Sequence, residues 1–326
     1  MQFEDIIKNL SGDLKKLDQI ILEFAEGKSP LIKEISQHLL LSGGKRIRPI
    51  LLFLSSSLFS TKPVHNLAAA VELIHTATLL HDDVVDFSQV RRGKKTANAI
   101  WDNKSSILVG DYLFSIAFQL MVKSENLTVL DLLARSSSIM ADGEVMQLEN
   151  SSDVALSKEK YLEIIFGKTA VLFSAACKSG ALINNALEDK IFRLGEFGKN
   201  LGIVFQMVDD ILDYASNQQT LGKDLGNDFF EGKVTLPIIL TYKAASNEDK
   251  ALIADLFSKN LIATDKNYDD FKTILSLIEK YHALDLAKSE AIFYKEMALK
   301  NLEIFPDSFA KNALITTLNY ALSRLF

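Results

Sequence analysis

Three carboxylates stand in "LLHDDVVD", Leu79 to Asp86, inside an otherwise apolar run. On a helix of 3.6 residues per turn, Asp82 and Asp86 share a face and Asp83 lies beside them, so three negative charges crowd into one turn. Like charges at that spacing cost a helix roughly a few tenths of a kcal/mol per pair, and a buried unpaired carboxylate costs far more. A cation must stabilise them. The code recurs in "FQMVDDILDY", where Asp209, Asp210 and Asp213 take the same relative positions and Gln206 stands one turn earlier. Two apolar helices with one acidic code predict an all-oxygen cage. Oxygen ligands with spare water positions favour magnesium, which bridges carboxylates to substrate phosphates. No Cys or His occurs at zinc-ligand spacing. Lys45, Arg46 and Arg48 lie in one glycine turn, and Arg91, Arg92, Lys94 and Lys95 follow the first acidic cluster. Arginine forks and lysine point charges suit phosphate oxygens. Singly, each basic run reads as a solvated loop and one DDxxD pattern as a solvated helix end. The alternation of acid and base points to a phosphate-bearing substrate.

The elements that position these groups are helical. The five prolines leave long tracts without a breaker, and apolar residues recur three and four apart. The pattern predicts an all-α chain with helices over 3–26, 30–42, 48–60, 64–87, 97–123, 126–149, 158–180, 188–214 and 233–245, and more toward the C-terminus. Gly43 suits the left-handed position that closes one helix, and Pro49 the first turn of the next. Residues 216–233 lack apolar periodicity and form the one long mid-chain loop. No repeat or linker divides the 326 residues, so one domain, 1–326, is expected. The formal charge of −6 disfavours a nucleic-acid partner. No apolar run reaches the roughly 18 residues of a membrane span, and the acidic N-terminal stretch lacks a signal-peptide pattern. The single cysteine, Cys177, suits a reducing cytoplasm and reads as a small core residue.

Together, "GGKRIRP", "HDDVVD" followed by "RRG", "GKTA", and "FQMVDDILD" followed by "GKDLGNDFFEGK" resemble the trans-type polyprenyl diphosphate synthases. The resemblance runs from about residue 30 to 245, and "TANAIW", "VGDYLF" and "GEVMQL" make the chain most similar to the long-chain, octaprenyl-like members. It implies a bundle of long helices around a deep central cavity, a homodimer, and magnesium-dependent addition of isopentenyl diphosphate to an allylic diphosphate such as farnesyl diphosphate. Asp82, Asp83 and Asp86 would hold metal on the allylic diphosphate, and Asp209 with Asp213 a further ion, Asp210 being a weaker ligand. Arg91, Lys168, Lys223 and Lys233 match positions that contact the allylic diphosphate, with Thr169 and Gln206 near the reacting carbons. Gly44, Lys45, Arg48, His75 and Arg92 match the isopentenyl diphosphate site. His75 precedes Asp82 by two helical turns and so shares its face. One departure is Asp102, where the family commonly has glycine.

The resemblance also bears on product length. Ala77 and Thr78, five and four positions before Asp82, form the first floor a growing chain would meet. Neither is bulky, so the tail passes to lower turns, each about 5.4 Å deeper. A product near octaprenyl follows, and its apolar tail would draw a cytoplasmic enzyme loosely to membranes. Alternatives are a shorter-chain synthase making geranylgeranyl or farnesyl diphosphate, a noncatalytic subunit of a heteromeric synthase, or a class I terpene cyclase. His81 beside Asp82 also fits a histidine–aspartate phosphohydrolase, but the other histidines lack the required register.

Overall fold

The computed structural model describes residues 1–41, 43–60, 62–91, 93–215, 225–262 and 266–325. In chain order its helices are α1 (Phe3–Asn9), α2 (Ser11–Ala25), α3 (Pro30–Leu41), α4 (Ile47–Ser57), α5 (His65–Val85), α6 (Ala97–Ile100), α7 (Asn103–Val122), α8 (Leu127–Glu149) and α9 (Lys158–Ile165). A π-helical turn, Phe166–Ala170, leads into α10 (Val171–Leu182), followed by α11 (Glu188–Tyr214), α12 (Asn227–Phe230) and α13 (Leu236–Ala244). The last are α14 (Asn247–Ile262), α15 (Tyr268–Lys280), α16 (Ala283–Leu302) and α17 (Phe309–Ser323). The fold is all-α, of the isoprenoid synthase type. Strand among the described residues is confined to a hairpin, β1 (Val90–Arg91) with β2 (Lys94–Lys95), paired antiparallel.

Several boundaries differ from the sequence expectation for physical reasons. The expected helix 97–123 is two, because Asp102 is extended and its carboxylate accepts from Ser105 N–H at 2.6 Å as the N-cap of α7. Aspartate in place of the family's glycine thus supplies a cap. The segment 158–180 contains the π turn, the first helix breaks at Leu10, and the loop expected over 216–233 holds the short α12. Gly43 has φ +77°, in the left-handed region as anticipated. One expectation is corrected: α7 is long and apolar enough to cross a membrane by length and composition. Its packing along α5 buries one side of it.

Chain contacts define two compact units, each discontinuous in sequence. The first comprises Met1–Ser137, Leu172–Gly198 and Asn301–Thr317. Its centre is α5, packed along α7 with α2 and α4 also against it. Leu67 to Val71, Leu73, Ile74, Ala77 and Leu80 are all buried, so α5 is apolar around most of its circumference until its C-terminal turn. The second comprises Ser138–Val171, Lys199–Lys300 and Leu318–Phe326. There α13 packs against α9, α14 and α15, and Phe229, Phe257 and Phe271 form an aromatic core, the Phe229 and Phe257 rings meeting edge to face at 5.1 Å.

Candidate active site

In the first unit, the aspartates lie at the C-terminal end of α5, with Asp86 as its C-cap. That end carries the negative pole of the helix dipole, which makes a third reason for cations here. Asp83 is 1 % exposed, and its Oδ1 accepts from Arg91 Nε at 2.7 Å. Burial pushes its carboxyl up, while Arg91 pulls it down and Asp86 pushes again. Its Oδ2 is buried without a hydrogen-bond partner among the described residues. Asp82 and Asp86 are half-buried. The hairpin delivers Arg91: Gly93 at φ +74° allows the tight turn, Thr96 Oγ1 donates to Ser88 O, and Asn98 Nδ2 donates to the carbonyls of Asp83 and Ser88. His75, Asp83 and Arg91 line one pocket of about 40 Å³ together with Arg46 and Glu72.

Arg46, with φ +50°, donates to the buried Glu72 at 2.8 Å, so one member of the basic turn serves the scaffold. Arg48 lies over the Phe173 ring at 4.5 Å, while Gly44 and Lys45 are exposed. His81 meets Ile107 O at 3.2 Å and Asp111 Oδ1 at 3.4 Å across α7. A Cβ on Gly110 would fall 2.3 Å from His81 Nε2, so that glycine is what admits the ring. Ala77 is fully buried, whereas Thr78 is half-buried and donates to His75 O.

In the second unit, the Asp210 carboxyl is 3 % exposed and accepts from Tyr161 Oη at 2.6 Å and Gln206 Nε2 at 2.8 Å. Burial pushes it up to about 7, against those two hydrogen bonds and with the help of Asp209 and Asp213. Thr169 Oγ1 donates to Gln206 Oε1 at 2.7 Å, so Thr169, Gln206, Asp210 and Tyr161 form one chain. Thr169 and Lys168 sit in the π turn, a device that widens a helix and often marks functional sites. Lys168 Nζ donates to Glu144 at 2.9 Å and Gln147 at 2.7 Å. Asp213 accepts from the N–H groups of Asn227 and Asp228 at the start of α12. Asp209 accepts from Arg324, and Lys233 donates to Glu231. Burial, then Asp213 and Asp210, push the Asp228 carboxyl well up.

The two triads therefore share one design. In each, the middle aspartate is buried with its own donor and the outer two are half-buried on one helix face. Lys223 and Arg92 lie outside the described residues. Among the described residues, no group of three or more His, Cys, Asp or Glu side chains is gathered as a metal cage. The carboxylates take separate partners instead, Asp83 from Arg91, Asp209 from Arg324 and Asp213 from the α12 amides. Sequence reasoning did not assign Tyr161, Glu72, Glu144, Gln147, Asp228 or Arg324. Glu144 and Gln147 stand inside "GEVMQL", a stretch already singled out, whereas Tyr161 and Arg324 carry no sequence signal.

An all-α chain with paired aspartate triads, each flanked by cationic side chains, has the makings of an enzyme that ionises diphosphate esters. The chain belongs to the polyprenyl synthetase family, whose pattern matches residues 29–278, farther than the motifs reach. It is 37 % identical to an octaprenyl diphosphate synthase of Haemophilus influenzae over 97 % of this chain and 95 % of that one. A decaprenyl diphosphate synthase from Rhodobacter capsulatus superposes with TM-score 0.94 and 40 % identity, covering 99 % of both chains. A Caulobacter crescentus polyprenyl synthase, solved with calcium and isoprenyl diphosphate, gives TM-score 0.93 and 38 % identity, covering 99 % of this chain and 98 % of that one. The chain is a long-chain trans-prenyltransferase. Its family is metal-dependent and uses an allylic diphosphate and isopentenyl diphosphate.

Proposed function

We propose that the chain extends farnesyl diphosphate by successive head-to-tail additions of isopentenyl diphosphate, with magnesium, to a product near octaprenyl diphosphate. The observation that carries this reading is the shared design of the triads, a buried middle carboxyl with two half-buried ones beside it. The donor set is all oxygen and acidic, and Asp83 Oδ2 is buried with no hydrogen-bond partner among the described residues, so the residues fit a hard divalent cation. Asp82, Asp83 and Asp86 would hold one such ion and Asp209 with Asp213 a further one, Asp210 being the weaker ligand because Tyr161 and Gln206 already engage it. When bound, the metal supplies positive charge against the negative charge gathering on the leaving diphosphate.

The protein's own groups do the rest by position and electrostatics. Arg91, Lys168 and Lys233 exchange their carboxylate partners for diphosphate oxygens, and Lys223 would contact the same diphosphate. The allylic C–O bond breaks with its electron pair leaving on the diphosphate. Gly44, Lys45, Arg48, His75 and Arg92 hold isopentenyl diphosphate so that its double bond attacks the allylic carbon, and a proton then passes to the departed diphosphate. Thr169 and Gln206, hydrogen-bonded together at 2.7 Å, turn fixed dipoles toward the cation.

The two units would work as one isoprenoid synthase domain over 1–326. Leu108, Phe118 and Val122 are exposed on α7 among Asp111, Ser115 and Gln119, a mixed face that a second copy of this chain would cover in a homodimer. The enzyme would be cytoplasmic and loosely membrane-associated through its product. The test incubates the protein with magnesium, farnesyl diphosphate and labelled isopentenyl diphosphate and resolves the dephosphorylated products. A ladder ending near eight isoprene units is expected, with Asp82→Ala lowering turnover by orders of magnitude while its circular dichroism is unchanged. Near-normal turnover in that variant removes the reading.

A further inference from the structure

Asp209 already carries a cation. Arg324, one residue past the end of α17, donates from Nη2 to Asp209 Oδ1 at 2.6 Å. Its guanidinium lies 5.1 Å from the ring centroid of Phe205, one turn before Asp209 on α11, within cation–π range. Nη1 of the same group is buried with no hydrogen-bond partner among the described residues, so the seat leaves the guanidinium incompletely satisfied. Arg324 thus occupies a carboxylate of the second triad on terms that a better cation could beat.

We propose that Arg324 is a built-in placeholder cation, which holds Asp209 while no metal is bound and competes with the divalent metal for that carboxylate. The inference rests on the reading that Asp209 holds metal. Without a cation, Asp209 and Asp213 face each other as like charges four residues apart, and Arg324 relieves the repulsion at one of them. The side chains of the pair keep 24 % and 32 % exposure, so water competes for both partners and the bond is weak enough to exchange. An internal competitor lowers the apparent metal affinity by the fraction of Asp209 left available. Arg324 would therefore set how much magnesium the second triad requires, from outside the family-matched residues 29–278.

The test measures Mn²⁺ binding to the full chain without substrate, by the loss of the free-ion paramagnetic resonance signal. Arg324→Met is expected to bind Mn²⁺ about fivefold tighter at one site, the factor a pair of ordinary half-exposed strength imposes. Arg324→Lys, which keeps the charge but loses the planar fork, should fall between the two and serves alone if the methionine variant does not fold. Asp209→Asn should weaken binding. Unchanged or weaker binding in the Arg324 variants, with binding still weakened in Asp209→Asn, overturns the placeholder and leaves the proposed function standing. Wild-type binding in Asp209→Asn removes the metal role of Asp209 and the placeholder with it.

Discussion

Asp83 and Asp210 occupy the same place in their triads and reconcile burial with charge by different means. Asp83 is buried against the Arg91 guanidinium, whereas Asp210 is buried against two neutral donors and is pushed up to about 7. The Tyr161 hydroxyl, itself held protonated by burial and by Asp210, is the shorter of those donors. In Tyr161→Phe, Asp210 Oδ2 loses its partner inside the protein. A buried acceptor left unsatisfied costs about 1–3 kcal/mol, so the urea midpoint should fall at unchanged m-value, with turnover falling as the Gln206 and Thr169 chain loses its anchor. A midpoint equal to wild type would mean that another group or water takes the hydroxyl's place. Cys177 belongs to the same scale but not to the site. Burial pushes its thiol from 9.0 up to about 12, so the thiolate that alkylating agents need is withheld in the fold. Iodoacetamide at pH 8 should modify it only as fast as the chain opens, and faster in urea. Because the folded value is the higher one, the group leaves stability untouched below pH 9 and erodes it between 9.0 and about 12.

At the scale of elements, the contact that sets Lys168 in place is backbone against backbone. A Cβ on Gly143 would lie 2.6 Å from Lys168 N and 2.8 Å from Gly167 C, and one on Gly167 would lie 2.9 Å from Gly143 Cα. Neither wall is a flexible side chain, so Gly143→Ala must push α8 away from the π turn. Overpacking of that kind costs about 1–3 kcal/mol. Lys168 would lose its seat between Glu144 and Gln147, and kcat should drop about tenfold or more with a lower melting temperature; kinetics within twofold of wild type would show that the helices can part without consequence. These contacts also mark what the sequence could reveal. The acidic code, the basic turns and the helical periodicity are local patterns, and α5, α8 and α11 stand within two residues of where periodicity puts them. The hairpin escapes because its strands are two residues each and have no alternation to read. The π turn escapes because its extra residue lies between two segments that both read as helix. Spacing places Asp82 and Asp86 on one face, but it cannot say that Asp83 turns into the protein, since that depends on Arg91 arriving from the hairpin. Arg324 is 115 residues from Asp209, beyond any spacing argument.

For the whole molecule, the question is whether two triads on separate stretches of chain act on one leaving group. The proposed function requires it, and ligand linkage provides a measure that does not depend on turnover. A ligand bound only by the folded protein stabilises it by about 2.7 kcal/mol at one hundred times its Kd, which raises the melting temperature in proportion. With magnesium and a sulfur-substituted allylic diphosphate that resists ionisation, the wild-type chain should show such a rise, and EDTA should abolish it. If each triad bound its own ligand, Asp82→Asn and Asp213→Asn would each remove part of the rise, and the double variant would lose the sum. If both hold the same diphosphate, either substitution alone should remove most of the rise, and the double variant should lose little more. Asp213 serves this cycle better than Asp209, because substituting it leaves the Arg324 pair on Asp209 in place. Strict additivity of the two losses would leave the triads as independent metal sites and would require a different account of why one acidic code was written twice.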